Sequence, residues 1–352
     1  MATRRIMSWN IQNLGSKKED YQSILESIAQ TVINYSVDIF IVVELRSISV
    51  LKKLSLEINR IQSGATGKDY LGFFHSPSSY TKGFYSDTLS SHHEYYGFIV
   101  KDAKTVVPYG FKGPLDEYAS YTDSTQQLTP LTLTTGYGNK GFSYSFYLYN
   151  KRFIGGRPPC WAQFQEQLQQ GVMNVNVIAL HLRPDLYVAT EQLNNLAAFD
   201  LVQNVKQTLI ITGDFNTNSG QILNRGDGDN INTEIANRLA KYNCYPAFNR
   251  GTATHISDEV YDNFYTRNYG NIIGNAGIVP FREVLGYLLN NNNNAQAELL
   301  QYIITYKDRV ILTGYINQMF AQGVNSLTDD EARSIFKIVS DHYPIFIDVT
   351  QN

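Results

Sequence analysis

Seven polar residues of this chain stand where apolar, strand-like runs end: Asn10, Glu44, His181, Asp214, Asn216, Asp341 and His342. Asp214 and Asn216 lie in Gly213-Asp214-Phe215-Asn216, directly after the run Leu209-Ile210-Ile211-Thr212. Asp341 and His342 lie in Ser340-Asp341-His342-Tyr343-Pro344, just ahead of the alternating run Ile345-Phe346-Ile347-Asp348-Val349. Met7-Ser8-Trp9 leads to Asn10, Val42-Val43 to Glu44, and Val177-Ile178-Ala179-Leu180 to His181. Hard divalent cations take carboxylate and amide oxygens, and imidazoles move protons near neutral pH. Gathered at one end of a sheet, these groups make a hydrolytic metal site directed at a phosphate.

Each residue also has a plainer reading. Glu44 is costly to bury without a partner; a cation is one such partner, and a turn toward solvent is the alternative. Asp214 and Asn216 can face one way while Phe215 faces the core, or the string can be an ordinary turn, since Gly, Asp and Asn all favour turns. His181 and His342 can act as base and acid if a carboxylate orients each ring, and Glu94 and Asp262 stand at strand edges suited to that. His75, His92, His93 and His255 read as loop residues. Arg46 and Arg157 can hold phosphate by paired donors or stay solvated. Thr254, in Thr252-Ala253-Thr254, can offer a hydroxyl to a phosphate or a metal, or simply belong to β-rich sequence.

The elements that position these residues alternate. Strand-like runs cover 6–11, 37–43, 69–75, 94–101, 143–149, 159–164, 174–181, 207–213, 261–266 and 343–349. Helical periodicity covers 18–35, 47–60, 190–206 and 232–242, and a further helical stretch runs over 281–338. The pattern predicts an α/β sandwich of two packed sheets. Thr328-Asp329-Asp330-Glu331 has capping-box spacing and predicts the start of the helix that leads to Asp341. Two segments read as insertions, about 109–142 and about 290–335. Because the candidate site runs from Asn10 to His342, residues 1–352 read as one elaborated domain.

Composition limits the alternatives. With 352 residues, 43% of them hydrophobic, a large core is possible. A net charge of −3 and a pI of about 6.1 do not resemble a strongly basic nucleic-acid binder, although a bound cation can supply local positive field. Two cysteines, Cys160 and Cys244, cannot form a disulfide framework and read as buried thiols, with one bridge left open. No apolar run reaches membrane-spanning length, and Arg4-Arg5 is not followed by a signal-peptide core. The expectation is a cytoplasmic monomer with no membrane span, with signal-independent export left open.

In order and spacing, the strings resemble the endonuclease/exonuclease/phosphatase superfamily, and most of all its pancreatic-type (DNase I-like) deoxyribonucleases. The likeness rests on Ser8-Trp9-Asn10-Ile11-Gln12, Glu44-Leu45-Arg46, Glu94-Tyr95-Tyr96, Arg157-Pro158-Pro159, Ala179-Leu180-His181, Gly213-Asp214-Phe215-Asn216, Thr252-Ala253-Thr254, Tyr261-Asp262 and Ser340-Asp341-His342-Tyr343-Pro344. The resemblance implies a four-layer α/β sandwich, two packed central β-sheets flanked by helices, here with a helical insertion near the C-terminus. It implies metal-dependent phosphodiester hydrolysis. Glu44 would bind the metal with Asn10 and Asp341 near it. His181 with Glu94, and His342 with Asp262, would be the catalytic imidazoles. Asp214 and Asn216 would contact nucleophile and phosphate. Arg46 would reach the DNA minor groove and Arg157 the phosphates. The chain departs from the secreted enzymes at Asn249-Arg250-Gly251, where they carry an acidic calcium ligand, and it lacks their disulfides. The resulting expectation is a Mg²⁺-dependent DNA endonuclease of low sequence preference, with Mn²⁺ or Ca²⁺ as alternative ions. RNA, or a lipid or small-molecule phosphoester, is the alternative substrate, and a protein partner at the helical insertion is a further expectation.

Overall fold

Side chains alternate between two apolar layers along the central strands. In Ile39–Leu45, Phe40 and Val42 enter one layer, and Ile39, Ile41 and Val43 enter another. In Leu209–Asp214, Ile210 joins the second layer, while Leu209 and Ile211 enter a third. Strands buried on both faces need apolar side chains at nearly every position, which is why these runs are continuous in sequence. Each such side chain stabilises the fold by about 1.5–3 kcal/mol when fully buried.

The computed structural model describes residues 3–63, 72–75, 94–101, 107–108, 134–135, 145–147, 159–168, 171–182, 208–216, 238–248, 252–290, 294–306 and 310–351, with isolated positions between 189 and 206. Its strands are β1 (Thr3–Leu14), β2 (Ile39–Leu45), β3 (Gly72–His75), β4 (Tyr95–Val100), β5 (Val107–Pro108), β6 (Thr134–Thr135), β7 (Ser145–Tyr147), β8 (Cys160–Leu168), β9 (Gly171–His181), β10 (Leu209–Asp214), β11 (Tyr245–Pro246), β12 (Asp262–Arg267), β13 (Asn271–Ile278) and β14 (Ile345–Gln351). Among the described residues, one sheet has the order β13-β14-β1-β2-β4-β3-β6, and the other β11-β12-β10-β9-β8-β5 with β7 also on β8. The pairs β1/β2 and β9/β10 are parallel. The middle apolar layer, including Ile41, Val43, Phe98, Val177, Ala179, Ile210 and Phe264, joins the sheets face to face.

Helices α1 (Gln22–Asn34), α2 (Ile48–Ser63), α3 (Phe281–Asn290), α4 (Ala295–Tyr306), α5 (Val310–Gln322) and α6 (Asp329–Phe336) cover the outside of the first sheet. Leu193, Leu196 and Val202 cover the second, against Ile178, Leu180 and Ile211. The result is the α/β sandwich expected from sequence. The stretch read as an insertion at about 290–335 is not peripheral. Leu299, Ile303, Ile316 and Met319 share a core with Trp9 and Ile24, Tyr21 meets Tyr302 edge-on at 5.1 Å, and Glu298 accepts from the Ser23 backbone N–H at 2.8 Å.

Thr328 and Glu331 form the capping box that starts α6, and α6 delivers the chain to Ser340. Sequence reading missed β13 and the two-residue strands β5, β6 and β11. β13, Asn271-Ile-Ile-Gly-Asn-Ala-Gly-Ile, carries two glycines and two asparagines, and its register on β14 shifts between Ile273 and Ala276. It is an edge strand held by its neighbour, and a Cβ on Gly277 would lie 2.5 Å from the Phe346 ring. Most of the segment 109–142 and much of 190–206 and 232–242 lie outside the described residues. Among the described residues no helix is long and apolar enough to cross a membrane. Cys160 and Cys244 are buried free thiols, so the bridge left open from sequence is not formed.

Candidate active site

Register brings three site residues side by side. β9 and β10 pair Asp214 with His181, and β10 and β12 pair Asp214 with Asp262. Gly213 makes this possible: its φ is +130°, and a Cβ there would sit 2.0 Å from the Leu180 carbonyl oxygen. The first sheet brings Asn10 on β1 and Glu44 at the end of β2. It also carries the turn 340–342, which is clamped to β1. The Ser340 hydroxyl donates to the Asn10 carbonyl at 2.6 Å and accepts from the His342 N–H at 3.1 Å. The Trp9 indole N–H donates to the His342 carbonyl at 2.8 Å. The buried Lys18 ammonium donates to the carbonyls of Gln12 and, at 2.7 Å, Val339.

Asp214 Oδ2 is the hub. It accepts from Asn10 Nδ2 at 2.9 Å. His181 Nε2 lies 3.5 Å from it and His342 Nε2 3.6 Å. Behind each ring stands a buried carboxylate: Glu94 Oε2 is 3.1 Å from His181 Nδ1, and Asp262 Oδ2 is 2.7 Å from His342 Nδ1. A carboxylate on Nδ1 fixes the tautomer and the plane of the ring, leaving Nε2 directed at the cleft.

Backbone strain collects here. Asn13, Glu44 and Asn216 have positive φ of 52°, 60° and 47°, a conformation that costs a non-glycine residue on the order of 1–3 kcal/mol. Pairing shifts register between Val42 and Leu45, where Glu44 turns out of the strand. Its Oε2 accepts from the Asn13 N–H at 3.0 Å, and its Oε1 is 3.6 Å from His181 Nε2. In Asn216 the backbone N–H closes a turn onto Asp214 Oδ1 at 2.7 Å, and the side-chain amide donates to the Leu182 carbonyl at 2.7 Å.

Charge is set by burial and carboxylates. Burial alone would lower the His342 pKa, but Asp262, Asp214 and Asp341 outweigh it and raise the ring to about 10. Burial raises Asp262 to about 6, against the pull of His342. With three carboxylates facing one ring, the imidazolium is the favoured state. Burial pushes Asp341 upward, yet His255 and His342 bring it below its ordinary value.

Two oxygens in this site are buried with no hydrogen-bond partner: Asn10 Oδ1 and Asp341 Oδ1. An orphaned buried acceptor costs about 1–3 kcal/mol, and a cation removes that cost. Glu44 adds a further carboxylate, and all three are hard oxygen donors of the kind a divalent ion takes. Donor atoms of Glu44, Glu94 and His181, and of His255, Asp341 and His342, also fall in two groups within 4.8 Å.

Other expected site residues are placed differently. Arg46 puts Nη2 2.9 Å from Glu94 Oε1 and donates through Nε to Asn13 Oδ1 at 3.2 Å, so its guanidinium braces Glu94. Thr254 is fully buried, and its hydroxyl accepts from the Asp262 N–H at 2.9 Å. In this position it holds the Asp262 backbone. Arg157 lies outside the described residues. Gln12, Lys18 and His255 were missed or read as background. Gln12 donates to Asp341 Oδ2 at 2.7 Å, and His255 stacks edge-on against His342 with centroids 4.7 Å apart.

Two packed mixed sheets between helical layers, with acids and imidazoles gathered at strand ends of both, define a DNase I-like α/β sandwich. Solved structures of endonuclease/exonuclease/phosphatase proteins share that fold. The endonuclease/exonuclease/phosphatase from Bacteroides vulgatus superposes with a TM-score of 0.52 at 11% identity, covering 100% of both chains. The one from Beutenbergia cavernae gives 0.51 at 12% identity, over 99% of this chain and 72% of that one. A family protein from Bacteroides thetaiotaomicron gives 0.50 at 13%, over 100% and 98%. No protein-family model and no curated protein sequence matches the chain.

Proposed function

We propose that this protein is a divalent-metal-dependent phosphodiester hydrolase, and that its substrate is DNA, cut internally with little sequence preference. One observation carries the reading. A single carboxylate oxygen, Asp214 Oδ2, lies 3.5 and 3.6 Å from two imidazole nitrogens, each backed by a buried acid. Phosphodiester hydrolysis needs a proton taken from water, a proton given to the leaving oxygen, and relief of charge on the phosphate. An acid flanked by two braced rings can supply the first two.

Glu44, Asn10 and Asp341 are the residues that would hold Mg²⁺, with Mn²⁺ or Ca²⁺ as substitutes, and a bound ion supplies charge neutralisation at the phosphate oxygens. Asp214, held by the Asn10 amide and the Asn216 N–H, orients the attacking water and takes its proton. His342, its ring fixed by Asp262 at Nδ1, delivers a proton to the departing oxygen. His181, fixed by Glu94, donates to a non-bridging oxygen. Arg46 holds Glu94 in place.

The test is a substrate panel. Purified protein is incubated with supercoiled plasmid, RNA and sphingomyelin, each with Mg²⁺ and with EDTA. Nicking of plasmid that requires Mg²⁺ supports the proposal. Turnover of RNA or sphingomyelin without plasmid nicking moves the substrate to that class, and no turnover of any arm overturns the reading.

A further inference from the structure

Beside the site sits a third imidazole to which neither sequence reading nor the proposed chemistry gives a role. His255 occupies the residue after Thr254, joined to His342 by an isolated β-bridge. Its ring packs between Tyr261 at 4.8 Å and His342 at 4.7 Å. Its Nε2 points toward Asp341, 3.7 Å from Oδ2.

Its proximity to Asp341 and His342 makes His255 look like a third nitrogen ligand. Its hydrogen bonds argue otherwise. The Ser257 backbone N–H donates to His255 Nδ1 at 3.1 Å, and the Ser257 hydroxyl lies 2.6 Å from the same nitrogen. A backbone N–H can only donate, so Nδ1 must offer its lone pair. In a neutral imidazole the proton then sits on Nε2. A protonated Nε2 is a donor and has no lone pair for a metal. What it faces is a carboxylate oxygen.

We infer that His255 is a positioning residue: its Ser257-fixed Nε2–H, 3.7 Å from Oδ2 of Asp341, acts with the Gln12 hydrogen bond to bias the orientation of that carboxylate, so that Oδ1, which makes no hydrogen bond, stays directed at a cation. Gln12 Nε2 donates to Oδ2 at 2.7 Å, leaving His255 to approach the same oxygen from the side of the 255–257 turn. Oδ1 makes no hydrogen bond and faces His342 Nε2 at 3.7 Å. A carboxylate with one oxygen restrained and the other open is the arrangement that outer-sphere partners impose on metal ligands. This inference rests on the proposed role of Asp341 as a cation ligand.

The experiment measures Mn²⁺ affinity by the EPR signal of free Mn²⁺, with no substrate present, for the parent protein and for His255→Gln and His255→Leu. Thermal melts establish that each variant is folded. A glutamine amide nitrogen can occupy the place of Nε2 and still donate, but it lacks the ring. Leucine fills the space and cannot donate. The expected result is an affinity loss of about tenfold or more for His255→Leu, within the range seen for lost outer-sphere partners, and most of the parent affinity for His255→Gln. Equal affinity in His255→Leu and the parent overturns the inference. Equal loss in both variants also overturns it, because a ligand or a purely structural ring would behave that way. A parent that binds no Mn²⁺ overturns the proposed metal dependence itself, which separates the two failures.

Discussion

His342 Nδ1 and Asp262 Oδ2 are 2.7 Å apart and both side chains are buried; Asp262 opens β12 of one sheet, and His342 lies in the turn ahead of β14 of the other. The contact crosses the sandwich at its site end. Breaking a buried charge pair by deleting one partner costs about 3–5 kcal/mol, because the survivor is left uncompensated. An isosteric change is therefore the cleaner probe. Asp262→Asn keeps the shape and removes the charge that opposes burial of the ring. His342 should titrate at lower pH, and kcat should fall on the order of 10²-fold with Mg²⁺ dependence unchanged. NMR titration of the His342 ring together with Mg²⁺-dependent kinetics checks this. A shifted Mg²⁺ requirement would make Asp262 a ligand.

Arg46 faces Glu94 at 2.9 Å and so acts on His181 through that acid. Arg46→Ala should lower kcat by about tenfold, a barrier change of about 1.4 kcal/mol, while KM for plasmid stays near the parent value. Lysine cannot reproduce the two-sided grip on Glu94 and Asn13, so Arg46→Lys should restore little. A KM effect without a kcat effect would return Arg46 to direct DNA contact.

Gly213→Ala tests the register of β9 and β10. A Cβ 2.0 Å from the Leu180 carbonyl, at a φ of +130°, cannot be accommodated without moving the strand. The expected loss is on the order of 3 kcal/mol or more, read from urea denaturation. Parent-like stability would show that the close approach is not rigid.

Burial raises the Cys244 thiol to about 11, with nearby Arg267 countering slightly. Only thiolate reacts, so native Cys244 should resist iodoacetamide at pH 8 and label promptly once the protein is unfolded. The raised value favours the folded state's thiol over its thiolate. That contribution is complete below the unfolded pKa near 9 and is lost as pH rises toward 11. Peptide mapping by mass spectrometry follows the labelling.

Local pattern made the central strands, the capping box at Thr328 and the strand-end acids legible, since each depends on residues adjacent in sequence. The expected substrate roles of Thr254 and Arg46 rest on residue type alone, since a hydroxyl and a guanidinium look alike in sequence whether they face a substrate or a neighbour. Only the folded position shows Thr254 holding the Asp262 backbone and Arg46 holding Glu94. β13 was lost because its glycines and asparagines carry no strand preference, and pairing with β14 overrides that composition. The role of Gln12 depends on Asp341, 329 positions away, and no periodicity reports a contact of that range.

The most direct measurement is plasmid nicking by the parent and by Asp214→Asn, each with Mg²⁺ and with excess EDTA. The substitution keeps the size of the hub side chain and removes the charge between the two imidazoles. The account predicts nicking by the parent in Mg²⁺, none in EDTA, and a loss on the order of 10²-fold or more in Asp214→Asn with an unchanged thermal melt. Nicking that persists in EDTA, or an Asp214→Asn protein that cuts at the parent rate, would contradict it.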